Sequence, residues 1–352
     1  MRCWVINYCT LTEKDTKLNT YHFNRIRNEK MNTSDSVLED EMNHTTDNAA
    51  KFIKTCQYNF QQVHTFTGLP SKTLLWHFIA ACVVNVLIAI TTLFLNGIIL
   101  MTFWRSSRLR NSVHFSLIML QSSVDFGSGV IATPFVISSL ASMIAGVQRC
   151  WLALSTERVA LTATIFSIIT LSAMNIERYM GVVHPLIHRT KVTKRKVLKY
   201  VISVGFLYLI TLTVSFVNYA VLAISTCLIM VIFLSTTLFV YIRVFFVAST
   251  SGTIRNSPQN LPDERTWRTF SKQVKLAKSC FLVVVCMFVC YTPLLLVKIL
   301  NPDNLIEKKV LLIWTGTIAL MNQSLNSIIF FWKDKMLRKE AKTTLKIICG
   351  SK

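Results

Sequence analysis

The chain has 352 residues, 52% of them hydrophobic, and a mean hydropathy of +0.46, which excludes a soluble globule and places it among integral membrane proteins. Its 38 Lys and Arg against 17 Asp and Glu leave a net charge of +21. That excess does not indicate nucleic acid, because the basic residues fall between apolar stretches rather than among aromatics on a water-facing surface.

Residues 1–73 are polar and lack the apolar core of a cleavable signal peptide, so they read as a disordered exterior tail. Asn32-Thr33-Ser34 and Asn43-His44-Thr45 fit the N-glycan acceptor pattern, which an Asn/Thr-rich tail also produces by chance. Seven apolar stretches follow, at Leu74–Phe103, Val113–Ala141, Cys150–Val183, Val197–Val217, Ala220–Val247, Val274–Leu300 and Val310–Trp332. Each meets the roughly 20 residues that a hydrocarbon core of about 30 Å demands of a helix. The sequence therefore predicts an all-α membrane protein, a seven-helix bundle over 74–332. Residues 333–352 read as a short amphipathic helix and tail lying on the membrane, with Met336, Leu337, Leu345 and Ile348 on the apolar side.

Alternate connections carry the positive charge. Arg105, Arg108 and Arg110 follow the first stretch; Arg189, Lys191, Lys194 and Arg195 follow the third; Arg265, Arg268 and Lys272 precede the sixth; Lys333, Lys335 and Arg338 follow the seventh. By the positive-inside rule these loops are cytoplasmic and the amino terminus is outside, and anionic lipid at the inner leaflet accounts for the charge. Ser249 to Pro262 reads as a flexible inner loop. The ten cysteines lack zinc-site spacing. Cys150 and Cys227 lie near the outer ends of their spans, where oxidation is permitted and a bridge between them is open, and Cys349 in the basic tail is a palmitoylation candidate.

Polar residues inside the spans carry the functional information, since a carboxylate at mid-bilayer costs at least a few kcal/mol. Asp125 sits in the second span. Asn96 in the first, Ser167 in the third, and Asn322 and Asn326 in the seventh offer oxygen atoms at similar depth. They either cradle a small hard cation such as sodium or hydrogen-bond one another between helices.

These residues, in order, resemble the rhodopsin-like (class A) G-protein-coupled receptors over about Leu74 to Ile348. Asn96-Gly97 is similar to that family's first-helix Asn, and Leu120-Gln121-Ser122-Ser123-Val124-Asp125 to its Leu-Ala-x-x-Asp. Glu177-Arg178-Tyr179 matches Asp/Glu-Arg-Tyr, with Pro185-Leu186 at the expected offset, and Tyr241 matches the fifth-helix Tyr. Cys290-Tyr291-Thr292-Pro293 resembles Cys-Trp-x-Pro, and Asn326-Ser327-Ile328-Ile329-Phe330 resembles Asn-Pro-x-x-Tyr. The resemblance implies a plasma-membrane receptor that binds an extracellular ligand and activates a heterotrimeric G protein when the sixth helix moves outward. Arg178 would swing to admit the partner, Pro293 would serve as pivot, and Leu186 would enter a groove on the G protein.

Departures from the family pattern matter too. Gln273, between basic neighbours, stands where an acidic residue often restrains the Arg, which predicts appreciable basal signalling. Cys150 lies one turn before the family's third-helix cysteine position at Ala153, and this, with a short second outer loop, is similar to melanocortin-like and related receptors. Ala160 replaces the Asp that aminergic members use, and Leu320 replaces the retinal-binding Lys. The ligand set is read as Phe135, Glu157, Ala160, Leu161, Tyr219, Tyr291, Lys298, Trp314 and Thr317. It suits a peptide or a lipid with a polar head, and neither a simple amine nor retinal. Glu157 and Arg158 either neutralise each other or face water. The competing class is a seven-span transporter or channel, whose inverted repeats and interrupted helices are not evident. No nucleophile with a base stands at catalytic spacing, so an enzyme is not expected, nor is any cofactor beyond the sodium ion.

Overall fold

The computed structural model describes residues 53–58, 61–214, 219–255, 264–300, 302–348 and 350. The glycan candidates Asn32 and Asn43, the palmitoylation candidate Cys349, and the side chains of Tyr219 and Gln273 lie outside the described residues.

The first elements are two short strands, β1 (Ile53–Tyr58) and β2 (Gln61–Phe66), which pair in a two-stranded sheet. A gap of two residues is one that an antiparallel pair closes. The expectation of a wholly disordered tail through residue 73 is thereby corrected. Ile53, Thr55, Tyr58, Val63, Thr65 and Phe66 give these segments the β-branched and aromatic content that favours strands, and β2 has a surface to lie against. Thr67 bridges Val147, and the amide of Gly68 donates to the carbonyl of Gly146 at 2.8 Å. Gly146 takes φ +66, and a Cβ there would collide with the Gly68 carbonyl, so this close approach requires glycine.

The helices follow: α1 (Lys72–Arg105), α2 (Ser107–Arg110), α3 (Val113–Ile144), α4 (Cys150–Val183), α5 (Pro185–Lys191), α6 (Lys194–Val214), α7 (Tyr219–Arg255), α8 (Glu264–Leu300), α9 (Leu305–Lys333) and α10 (Lys335–Ile348). Seven of them match the expected spans, and local chemistry sets several of their ends. Ser71 caps α1 by accepting from the Leu74 amide, and Asn304 caps α9 by accepting from Ile306 and Glu307. Pro185 opens α5, where its missing N–H costs nothing. Helix α7 runs on to Arg255, so helix replaces the first half of the loop expected over 249–262, whose remainder lies outside the described residues. Once a span has nucleated, each further residue adds a hydrogen bond cheaply.

Around the bundle α1 packs on α3, α3 on α4, α4 on α7, α7 on α8, α8 on α9, and α9 back on α1, while α6 lies outside α4 and α7. Six spans are apolar enough to be membrane-crossing by composition alone: α1, α3, α4, α6 and the apolar parts of α7 and α8. Helix α9 is the exception, because its inward face carries buried Asn322, Gln323, Ser324, Asn326 and Ser327. Exposed tryptophans mark two levels, Trp76 and Trp151 towards the hairpin end and Trp104 and Trp332 towards the α10 end. That pattern suits two membrane interfaces. Helix α10 turns Leu337, Ala341 and Thr344 inward and packs on α1, whereas Ile348, expected on its apolar side, is exposed.

Candidate functional site

Three polar groupings run down the inside of the bundle. In the middle, Asp125 is fully buried on α3. Both its oxygens accept from the Gln121 side-chain amide at 3.0 Å, Ser167 on α4 donates at 3.2 Å, and Asn326 on α9 donates at 3.3 Å. Gln121 also donates to Ser167 at 2.8 Å and accepts from the Thr170 hydroxyl. Of the five expected oxygen-bearing residues, three therefore meet directly. Asn322 stands beside them and donates to the Tyr291 hydroxyl at 3.1 Å. Asn96 is engaged elsewhere, donating to the Thr92 carbonyl and accepting from Ser327 at 2.5 Å. Gln121 was missed as a participant, although it lies four residues before Asp125, the spacing that places two side chains on one helix face.

The carbonyl oxygens of Asn322 and Asn326 are buried with no hydrogen-bond donor among the described residues. Orphaned oxygens beside a carboxylate fit a small hard cation. The amide groups that already donate to Asp125 restrict such a site to Asp125, Ser167 and the two asparagine oxygens.

Towards the α10 end, Glu177 and Arg178 are 3% and 1% exposed at the end of α4. The Arg178 guanidinium pairs with Glu177, and the His188 ring on α5 meets the other Glu177 oxygen at 2.9 Å. A carboxylate held from two sides satisfies charges that would otherwise be costly to bury. Tyr179 sets its ring edge against His184, and Tyr241 on α7 donates to Asn175 at 3.3 Å. Leu186 on α5 is 81% exposed. Phe330 and Tyr291 are buried in the core, and Pro293 lies inside α8 two residues after Tyr291. Below this level His114 on α3 faces Asp334 at 3.7 Å. Asp334 also caps α10, accepting from Met336 and Leu337 at 2.9 Å each. Burial alone would raise the Asp334 carboxyl, but His114 and the two amides hold it below the usual carboxylate range. Neither His188 nor the His114–Asp334 pair was legible in advance.

At the hairpin end a cavity of about 220 Å³ opens between α3, α4, α8 and α9. Glu157, Ala160, Leu161, Lys298 and Thr317 line it, with Leu320 and Lys309. Glu157 pairs with Lys298 at 3.3 Å across the cavity. Phe135 and Trp314 do not line it. The Phe135 carbonyl accepts from Thr156, and Trp314 turns to α1, where its indole N–H donates to His77 at 3.3 Å. Tyr291 lies deeper, at the asparagine cluster. Phe66 of β2 sits at this end, fully buried against Phe78 with the Lys309 ammonium 5.8 Å from its ring centre. Gln148 clamps the strand: its side-chain oxygen accepts from the Phe66 backbone N–H at 3.1 Å, and its backbone N–H donates to the Phe66 carbonyl at 3.2 Å.

The bridge left open between Cys150 and Cys227 does not form. Cys150 is disulfide-bonded and Cys227 is free. Cys227 lies eight residues into α7, about 12 Å along the helix axis, and packs against the core instead of facing the α4 terminus. Arg158, one residue after Glu157, is buried on a different wall of α4 and faces a separate cleft.

The family described as 7 transmembrane receptor (rhodopsin family) matches residues 95–330, well over half of the chain. No match was found among curated proteins.

Proposed function

The chain belongs to the rhodopsin family of seven-transmembrane receptors, and we propose on that premise that it is a plasma-membrane receptor that couples an extracellular ligand to a heterotrimeric G protein. The hairpin end is the outer end and α10 lies at the cytoplasmic face, in keeping with the basic connections between alternate spans. The observation that carries the reading is the buried Glu177–Arg178 pair, with His188 as a third member, beside an exposed Leu186. Outward movement of α8 about Pro293 opens a cleft beside Arg178, and the arginine leaves Glu177 to receive the partner's helix. Leu186 supplies the apolar contact and the basic loop around it steers the partner.

The ligand occupies the Glu157–Lys298 cavity, and its amphipathic walls suit a peptide or a lipid with a polar head. With alanine at position 160 and leucine at 320, the cavity has neither an amine counter-ion nor a Schiff-base lysine at those places. Asp125, Ser167, Asn322 and Asn326 would hold a sodium ion, whose charge would offset the buried carboxylate in the resting bundle. With no acidic residue at Gln273 to restrain Arg178 from α8, basal exchange is appreciable.

GDP-for-GTP exchange on purified G proteins tests this directly. Acceleration by the receptor supports it. Solute flux across proteoliposomes without any exchange would instead favour a transporter, a class for which no structural feature argues.

A further inference from the structure

The walls of the Glu157–Lys298 cavity carry more positive than negative charge. Among the described residues that line it, the charged ones are Glu157, Lys298 and Lys309, two ammonium groups to one carboxylate. We propose that the ligand of this cavity is a small monocarboxylic acid with a short apolar body, its carboxylate held by Lys309 beside Lys298. This rests on the reading of the cavity as the ligand site, and it narrows an amphiphile in general to one charge and one size.

Lys309 carries the argument. Lys298 pairs with Glu157 at 3.3 Å, and Lys309 feels the same carboxylate at longer range. The Lys309 ammonium stands 5.8 Å from the centre of the Phe66 ring, an attraction weaker than a charge-assisted hydrogen bond to a carboxylate. Lys309 is partly buried and the ring that covers it is fully so, which leaves the charge poorly screened by water. Its three N–H donors leave room for a ligand carboxylate beside the ring. A carboxylate brings a single negative charge, the amount by which the cations on these walls exceed Glu157, whereas a phosphate monoester brings nearly two.

The rest of the cavity sets the body of the ligand. Helix α4 starts at the hairpin end and α8 finishes there, so Leu161 and Leu294 each lie four residues, about 6 Å of helix rise, deeper than Glu157 and Lys298. Leu320 of α9 joins them on the floor. The nearby hydroxyls are committed to their own helices, Thr164 donating to the Ala160 carbonyl at 3.0 Å and Thr317 to the Ile313 carbonyl at 2.8 Å. An apolar floor thus lies under a cationic mouth. The volume of about 220 Å³ falls below the roughly 300 Å³ at which drug-sized sites begin, so it suits a short body rather than a long chain. Leu294 directly follows Pro293, and a body resting on this floor meets α8 at its pivot.

Gly316 supplies a blocking variant, since it lines the cavity and a Cβ built there meets nothing within 4 Å. Gly316→Leu fills the space, and leucine favours a helix more than glycine does. The purified full-length protein in nanodiscs is melted against rising concentrations of butyric, hexanoic, octanoic and phenylacetic acids and of their methyl esters. At least one acid is expected to raise the melting temperature by a few degrees where its ester does not. Lys309→Gln weakens the apparent affinity about tenfold, the loss of one charge-assisted contact, while Lys309→Arg retains it and Gly316→Leu abolishes it. Should Lys309→Gln fail to fold, Gly316→Leu and the acid-against-ester comparison on the wild type decide the matter. Binding that meets these expectations without any nucleotide exchange upholds the proposal and counts against the G-protein reading. An ester that matches its acid, an equal effect of hexyl phosphate, undiminished stabilisation of Gly316→Leu, or no stabilisation by any of the acids each overturns the proposal and leaves that reading standing.

Discussion

The two ends of the bundle keep charge inside by different means. At the α10 end, Glu177 is held by adjacent Arg178 and by His188, eleven residues further on, and both Glu177 and Arg178 are buried. At the hairpin end, Glu157 and Lys298 join helices distant in sequence, are partly exposed at 37% and 23%, and border an open cavity. A buried, self-sufficient cluster stores a definite resting state, whereas a half-solvated pair is easily traded for a ligand's own charges. The difference suits a switch at one end and a receptor mouth at the other.

The harshest way to break this arrangement lies between the ends. Asp125→Ala leaves the Gln121, Ser167 and Asn326 donors without their acceptor, at about 1–3 kcal/mol for each buried unsatisfied group. The expected outcome is a large fall in thermal stability of the detergent-purified protein. Adding Gln121→Leu should recover part of it, because coupled neighbours are not additive. At the hairpin end Phe66→Ala removes a fully buried ring, worth about 3–5 kcal/mol locally. Hydrogen exchange should quicken at residues 61–68 while α7 and α8 stay protected, and quickening throughout the bundle would contradict the hairpin's role as a local cover.

Smaller effects sharpen the contrast. His188→Ala releases one of the two groups on Glu177 and is expected to raise basal nucleotide exchange a few-fold. Glu157→Gln at the other end should leave basal exchange unchanged. Sodium chloride should raise the melting temperature by a few degrees over choline chloride, and Asp125→Asn should abolish that difference. The smallest effect belongs to Asp334. Because its folded carboxyl lies below the ordinary value of 3.8, its contribution is complete above that value and is lost as pH falls through the lower folded one. Asp334→Asn keeps the capping oxygen, so it should cost α10 less than about 1 kcal/mol at neutral pH and remove that acid-side loss.

The parts legible from sequence were those that rest on local pattern. The length and spacing of the spans, and Asp125 and Glu177-Arg178 within them, can be recognised because a charge inside an apolar run stands out against its neighbours. The hairpin could not be read in the same way. Its strands are short and polar on average, and β2 is held by Gln148 and Gly146, some 80 residues away in the chain. The cysteine pairing failed for a related reason, since both residues lie towards the outer ends of spans but rotation about the α7 axis, which spacing does not encode, turns Cys227 into the core. Trp314 illustrates the same blindness, its indole committed to His77 on α1 instead of to the cavity. Partners between helices, Gln121 with Ser167 and His188 with Glu177, emerge only when the helices are placed side by side.

The most direct test of the account compares GDP-for-GTP exchange on a panel of purified heterotrimeric G proteins with the wild-type receptor and with Arg178→Ala, matched for folding and surface delivery. The account predicts that the wild type accelerates exchange on at least one G protein without added ligand and that Arg178→Ala abolishes the acceleration. Equal exchange by the two proteins, or none above the receptor-free rate on any member of the panel, would contradict it.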